Sequence, residues 1–259
     1  MNLKLGYAEY SVNLGAHHIH FLCRYAPDSH EVILFLYGLG CSLDSFRSTW
    51  EHDYFPGKSI LILDLPGFGR SSKPEDFSYR MEDQAKVIEE LLSQFPFWKI
   101  HIAAHSMGGA VGLLFSPEFF SRVLSFANIE GSLISEDCGL LSRSIAKVSF
   151  EEYRDNLYKE QVIKFRGHPH LRFEETTLVA LYKSAASLVE WSDSGELLNK
   201  FRDLTCRKCY FYGEENKGMP VLEKLNFVTK VMIHNSGHSM MTENPTEFYI
   251  KLAEFIESK

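Results

Sequence analysis

The most telling part of this 259-residue chain is the segment Ile102-Ala103-Ala104-His105-Ser106-Met107-Gly108-Gly109. An apolar, strand-like run from Trp98 to Ala104 leads into it, and a small-residue, helix-like run from Met107 to Phe115 leaves it. A sharp strand-to-helix turn strains the backbone of its central residue and leaves no room for large side chains nearby. Gly108 meets that demand, and Ala104, standing where glycine is usual, is small enough. The pattern therefore marks Ser106 as a candidate nucleophile.

Composition limits what the chain can be. The hydrophobic content of 45% and the length predict one globular domain with an insertion. The formal net charge of −7 and the lack of a long basic run argue against nucleic acid as a partner. The N-terminus lacks a signal-peptide pattern, and no apolar run reaches the ~18 residues of a membrane span. We expect a cytoplasmic protein without a membrane span; the sequence leaves its oligomeric state open.

Strand patterns alternate with helical ones along most of the chain. A hairpin is predicted over Leu3–Val12 and His17–Tyr25, and buried strands over 31–37, 59–64, 99–104, 122–129, 208–212 and 229–233. Helices are predicted over 81–95 and from Asn244-Pro245 onward. The segment 131–201 has helical patterns and no convincing strand. The expected fold class is α/β, a mostly parallel sheet flanked by helices, with a core of 1–130 and 202–259 and a helical cap of 131–201.

Metal and redox chemistry are not favoured. The five cysteines are scattered, and Cys206-Arg207-Lys208-Cys209 has no second half-site. His18 and His20 lie two apart on a predicted strand and are interpreted as surface residues. We expect no metal and no cofactor.

Four motifs, in this order, resemble those of the α/β-hydrolase superfamily over nearly the whole chain. They are Tyr37-Gly38-Leu39-Gly40, Asp64-Leu65-Pro66-Gly67-Phe68-Gly69-Arg70-Ser71, Ala104-His105-Ser106-Met107-Gly108 and Gly237-His238-Ser239. The resemblance implies an α/β-hydrolase fold with a helical cap after strand six. It also implies that the amides of Leu39 and Met107 form an oxyanion hole, although Tyr37 replaces the usual histidine.

His238 is the preferred general base and acid, because its Gly-His loop matches the family spacing. Two other histidines compete for this role. His234 lies at a strand end and fits packing, and His105 is expected to point away from the site if Ser106 points into it.

The acid of the triad is the difficult assignment. The usual family position holds Asn216, which carries no charge. An alternative family solution places the acid at the end of the sixth strand, where this chain has Glu130. A carboxylate that closes an apolar strand is costly to bury unless it is paired, so we assign Glu130. Glu214 and Glu215 remain the alternative acids.

A serine at the elbow disfavours dehalogenase and epoxide hydrolase chemistry, which use aspartate in this family. We predict a serine hydrolase that acts on a small to medium apolar carboxylic ester as its small-molecule partner. Thioester or carbon–carbon bond hydrolysis, acyl transfer, and a non-catalytic ligand-binding role remain open. Candidate pocket residues of the cap are Phe150, Tyr153, Phe165, Phe173, Leu181, Tyr182 and Trp191.

Overall fold

The computed structural model describes residues 6–95, 99–168 and 171–258, and their strands form one eight-stranded sheet. The strands are β1 (Gly6–Leu14), β2 (His17–Tyr25), β3 (Glu31–Leu36), β4 (Ser59–Leu63), β5 (Lys99–His105), β6 (Val123–Ile129), β7 (Arg207–Gly213) and β8 (Thr229–Ile233). The spatial order is β1-β2-β4-β3-β5-β6-β7-β8. The pairs β1–β2 and β2–β4 are antiparallel and all other pairs are parallel, which confirms the predicted fold class.

The central strands are buried because helices cover both faces of the sheet. All five residues of β4 are buried, as are six of the seven in β5, as expected for continuous apolar runs in a parallel sheet. The register pairs His105 with Ile129 and Ile129 with Phe211, so β5 and β6 end level with one another and β7 extends two residues further, to Gly213. The residues that follow these strands therefore meet at one edge of the sheet.

Helices occupy the connections between strands. They are α1 (Ser48–Glu51), α2 (Met81–Ser93), α3 (Met107–Leu113), α4 (Pro117–Phe120), α5 (Leu140–Ala146), α6 (Phe150–Glu152), α7 (Tyr158–Phe165), α8 (Leu178–Ser194), α9 (Glu196–Asp203), α10 (Val221–Lys224), α11 (Met240–Glu243) and α12 (Pro245–Glu257). In the described ranges, none of them combines the length and the apolar character that crossing a bilayer requires.

The closing helix begins as its sequence predicts. The Asn244 side chain accepts a hydrogen bond from the Glu247 amide, and Pro245 stands at the first helical position, where a missing N–H costs nothing. The buried stripe of α12 consists of Phe248, Tyr249, Leu252 and Ile256.

The chain between β6 and β7 is helical, with no strand in its described residues 130–168 and 171–206. Its longest helix, α8, is fixed to the start of α2. Ser187 Oγ accepts from the Met81 amide at 3.1 Å, and Trp191 Nε1 donates to the Glu82 carboxylate at 2.9 Å. This segment follows the sixth strand, where the cap is expected. Its separation as a cap, 131–201, from a core of 1–130 and 202–259 stays a prediction.

Element boundaries differ slightly from the sequence predictions. β1 extends to Leu14, while the predicted start at Leu3 lies outside the described residues, as does Trp98 before β5. The helices α2 and α3 each end two residues before the predicted Phe95 and Phe115.

One surface prediction is wrong. His18 is exposed, but His20 is only 6% exposed, and its Nδ1 lies 3.3 Å from Asp64 Oδ2. The reason is topological: β2 pairs with β4 as well as β1, so the loop that follows β4 covers the His20 side chain.

Candidate active site

Ser106 occupies a strained turn between β5 and α3. Its backbone angles are φ 52° and ψ −119°, in a region that non-glycine residues rarely adopt. A Cβ on Gly108 would lie 2.5 Å from the carbonyl oxygen of Leu36, so only glycine fits at that position. Close packing also explains Gly109, where a Cβ would lie 2.7 Å from the Cα of Gly131. The backbone around the turn is therefore closely packed, and Ser106 itself is half-buried.

Glu130 follows β6 and also has a positive φ, 42°. Its carboxylate is nearly fully buried, with 1% of the side chain exposed. Oε2 lies 2.7 Å from Nδ1 of His238, and Oε1 accepts a hydrogen bond from the Gly213 amide at 2.8 Å. The Asn216 Nδ2 group donates to both carboxylate oxygens, at 3.0 and 2.9 Å. The structure thus brings Glu130 and His238 into direct contact.

The tautomer of His238 follows from this contact. A carboxylate oxygen accepts, so the Nδ1–H of His238 donates to Glu130, and this contact does not involve Nε2. The His238 side chain is half exposed, and it lines the same cavity as Ser106 and Glu130. The arrangement therefore gathers a hydroxyl, an imidazole and a carboxylate, the three groups of acyl-transfer chemistry.

The competing histidines lie in different places. His234 is exposed, and its Nδ1 lies 2.7 Å from Glu247 Oε1. The expectation that His105 points away from the site is wrong. Its ring lies on the cavity wall with its centroid 4.6 Å from that of His238, and its Nε2–H donates to the His238 carbonyl oxygen at 2.9 Å. The strand alternation holds through His105 and breaks at Ser106, whose positive φ ends β5, so both side chains line the same cavity.

The alternative acids contact other groups. Glu214 Oε2 accepts from the Asn235 amide at 3.1 Å. Glu215 is exposed, and its carboxylate lies 3.0 Å from the point where a Cβ on Gly237 would stand. The hydrogen bonds of the described residues join neither carboxylate to His238.

Of the two residues predicted to supply the oxyanion-hole amides, Leu39 lines the same cavity as Ser106, and Met107 directly follows Ser106 in the chain. Met107 is the first residue of α3, so its N–H has no acceptor four residues earlier in the helix. The loop that carries Leu39 approaches closely: a Cβ on Gly38 would lie 3.1 Å from that of Ser106. Tyr37 is buried and its hydroxyl accepts from the Leu65 amide at 2.7 Å, which ties the end of β3 to the end of β4. Tyrosine thus anchors the loop where the family usually has histidine.

A cavity of about 570 Å³ opens over these residues. Its apolar lining is Leu39, Cys41, Leu141, Phe165, Leu171, Leu188 and Met219. Of the pocket residues predicted from the cap, Phe165 lines the cavity, while the other six are not among its lining residues. Asp137 also lines it, and burial raises the pKa of that carboxyl to about 6.

Residues 31–187 match the α/β hydrolase fold family, which is more than half of the chain. This protein belongs to the α/β hydrolase fold family. Lipase 3 of Moraxella sp. (strain TA144) is 33% identical over 96 residues. That match covers 37% of this chain and only 30% of the lipase.

Solved structures extend the likeness of this hydrolase-fold protein over nearly the whole chain. Cfl2 from Burkholderia cenocepacia superposes with a TM-score of 0.76 at 17% identity and covers 96% of both chains. A loop variant of the haloalkane dehalogenase DbeA from Bradyrhizobium elkanii gives a TM-score of 0.72, also at 17% identity, over 97% of both chains. At such identities the likeness shows the fold alone.

Proposed function

We propose that this α/β hydrolase is a serine hydrolase that cleaves carboxylic esters with an apolar acyl or alcohol group. The observation that carries the proposal is the 2.7 Å contact between buried Glu130 and His238 on the wall of a cavity that Ser106 also lines. In this arrangement His238 keeps Nε2 free as a base, while the carboxylate stabilises the imidazolium that forms.

The reaction proceeds through an acyl-enzyme. Ser106 Oγ attacks the ester carbonyl carbon while His238 Nε2 takes the hydroxyl proton. The amides of Leu39 and Met107 stabilise the negative charge that develops on the carbonyl oxygen. As the C–O bond breaks, His238 returns the proton to the leaving alkoxide. Water, deprotonated by His238, then attacks the acyl carbon and releases the acid and free Ser106.

The cavity supports the substrate class. Its volume of about 570 Å³ falls within the usual range of small-molecule sites, and most of the surface area that faces it is apolar, although polar side chains also line it. The residues Leu141, Phe165, Leu171 and Leu188 all come from the helical segment after β6, which we therefore propose as the part that selects the substrate.

A fluorophosphonate probe tests the proposal without knowledge of the substrate. We expect one adduct on the wild type by intact-mass spectrometry and none on Ser106→Ala. Ser132→Ala is the matched control, because Ser132 lines the same cavity and should leave labelling unchanged. Absence of an adduct on folded wild type would contradict the proposal and favour a ligand-binding protein.

A second experiment tests the bond that is cleaved. We expect p-nitrophenyl esters of medium chain length to be hydrolysed with a higher kcat/KM than the acetate, since longer acyl chains fill more of the apolar cavity. A matched thioester that is cleaved much faster than its oxygen ester would overturn the assignment to carboxylic esters.

A further inference from the structure

We propose that Asn216 is a positioning residue that holds the Glu130 carboxylate in the orientation in which it contacts His238. The inference rests on the proposed function, since it assigns a part to Asn216 in the same triad. It goes beyond the triad because Asn216 stands where the family usually places the acid itself.

The hydrogen bonds of the carboxylate carry this inference. Oε1 of Glu130 accepts from the Gly213 amide at 2.8 Å and from Asn216 Nδ2 at 3.0 Å. Oε2 accepts from the same Nδ2 at 2.9 Å and from His238 Nδ1 at 2.7 Å. One amide group thus bridges both oxygens, which fixes the rotation of the carboxylate about its last bond. A carboxylate with 1% exposure depends on such donors, because burying it without hydrogen bonds is costly.

The amide suits this place because it donates hydrogen bonds and carries no charge. An aspartate at position 216 would put a second carboxylate about 3 Å from the first, and two such groups cannot both stay ionised. A leucine would fill similar space and donate nothing. Relative to the usual family arrangement, the acid in this chain stands at the end of β6, and the position after β7 holds an amide that donates to it.

The turn that carries Asn216 is itself tied to the loop that carries His238. Asn216 ends the short 3₁₀ turn Glu214–Asn216, and the Glu215 amide donates to the Ser236 carbonyl at 3.1 Å. A Cβ on Gly213 would lie 2.3 Å from the Gly237 carbonyl oxygen, so the two backbones touch. Through these contacts the turn sets the carboxylate and the imidazole loop at a fixed separation.

Other titratable groups near Glu130 must be considered in any pH measurement. They are His238, which it contacts, and Asp137 and Tyr210, whose pKa values are raised chiefly by burial and in small part by the Glu130 charge. None of these groups takes the place of the Asn216 amide.

A double-mutant cycle with Asn216→Leu and Glu130→Gln tests the inference. Loss of a hydrogen bond to a charged group should lower kcat/KM of Asn216→Leu by about 10- to 100-fold, mainly through kcat. In the Glu130→Gln background, Asn216→Leu should have little further effect, because the group it acts through is gone. If the fold-losses of kcat/KM in the two single variants multiply in the double variant, the two residues act independently. That result would overturn the inference and indicate that Asn216 acts through packing or substrate contact.

A readout that needs no turnover separates this inference from the proposed function. The Nδ1 proton of His238 should give a low-field ¹H NMR resonance that Glu130→Gln abolishes and Asn216→Leu moves upfield. Glu215→Gln, an exposed neighbour in the same turn, is the control and should leave it in place. An unmoved resonance in Asn216→Leu contradicts the inference even if the wild type is active. A moved resonance on a protein that fluorophosphonate does not label would contradict the proposed function alone. Asn216→Ala replaces Asn216→Leu if the leucine variant fails to fold.

Discussion

Two glutamate–histidine pairs lie close together in this molecule and differ in what surrounds them. His238 and His234 are four residues apart, about half exposed, and each has Nδ1 at 2.7 Å from a glutamate oxygen. Their acids differ: Glu130 is 1% exposed, whereas Glu247 is 22% exposed. The length of the contact is therefore the same in the pair that lines the cavity and in the pair that does not.

The two acids also differ in the charged groups that surround them. Glu247 also binds Lys251 at 2.6 Å, and although its burial acts in the opposite direction, hydrogen bonds from Lys251 and His234 lower its pKa to about 2. Among the ion pairs of the described residues, Glu130 has none with lysine or arginine, and its other donors are neutral amides. An imidazolium at His238 thus meets a buried carboxylate that no fixed cation already neutralises.

Replacing the two histidines should give the largest contrast. We expect His238→Gln to lower kcat/KM by roughly 10⁴-fold or more, because it removes the base of the triad. His234→Gln should stay within about twofold of the wild type, since exposed substitutions away from a site have small effects. Ester hydrolysis under identical conditions checks both. Equal losses in the two variants would remove the distinction between the pairs.

Replacing the acids should give a smaller contrast of the same kind. Glu130→Gln keeps the shape and removes the charge, and we expect kcat/KM to fall by roughly 10²- to 10⁴-fold with little change in folding. Glu247→Gln and Glu215→Gln should keep their activity. If Glu130→Gln stays active while Glu215→Gln loses turnover, the acid has been assigned to the wrong glutamate.

Asp137 extends the comparison to stability, because it is a half-buried acid on the cavity wall without a lysine or arginine partner among the described ion pairs. Its pKa is about 6 in the folded protein against 3.8 for the unperturbed group, so the folded state binds the proton more tightly. Its protonation therefore stabilises the fold as pH falls from 6 towards 4, by on the order of 3 kcal/mol.

We expect the free energy of unfolding of wild type minus that of Asp137→Asn to rise by this amount between pH 7 and pH 4. Urea denaturation at each pH measures it. Buried His101, whose pKa is lowered to about 4 chiefly by burial, destabilises the fold over part of the same range, but its contribution cancels in the difference. If this difference in the free energy of unfolding does not change with pH, the pKa of Asp137 is not raised in the folded protein. Glu136→Gln, the exposed neighbour, is the control.

Glu247 should show the smallest effect, with the opposite sign. Its lowered pKa means that its ionised form stabilises the fold above its unfolded pKa of about 4.5, and that this is lost as pH falls towards 2. Because the pair is partly exposed and screened, Glu247→Gln should cost less than about 1 kcal/mol at pH 7. A larger cost in urea denaturation would show that the Glu247–His234 pair contributes more to the stability of the fold than its exposure suggests.

The sequence predicts the sheet well because buried parallel strands leave continuous apolar runs, such as 31–37 and 59–64, that the structure places at its centre. It also singles out Glu130, since a carboxylate after such a run is costly to bury without a partner.

The contacts that link distant loops could not be predicted. The bond from Asn216 to Glu130 joins residues 86 positions apart, and the contact of His105 with His238 joins residues 133 positions apart. Each depends on the exact height at which neighbouring strands end. A one-residue change in register would separate these groups, and no local pattern in the sequence encodes the register between neighbouring strands.

The contact between Gly109 and Gly131 has a consequence for how this site can change. A Cβ on Gly109 would lie 2.7 Å from the Cα of Gly131, and a Cβ on Gly131 would lie 2.9 Å from the Cα of Gly109. A larger residue at one position cannot be accommodated by a smaller residue at the other, because both positions already hold glycine. In a library of random variants this pair would therefore lack compensating substitutions. The spacing between the strand that carries the serine and the strand that carries the acid would be inherited unchanged, whatever substrate the helical segment came to select.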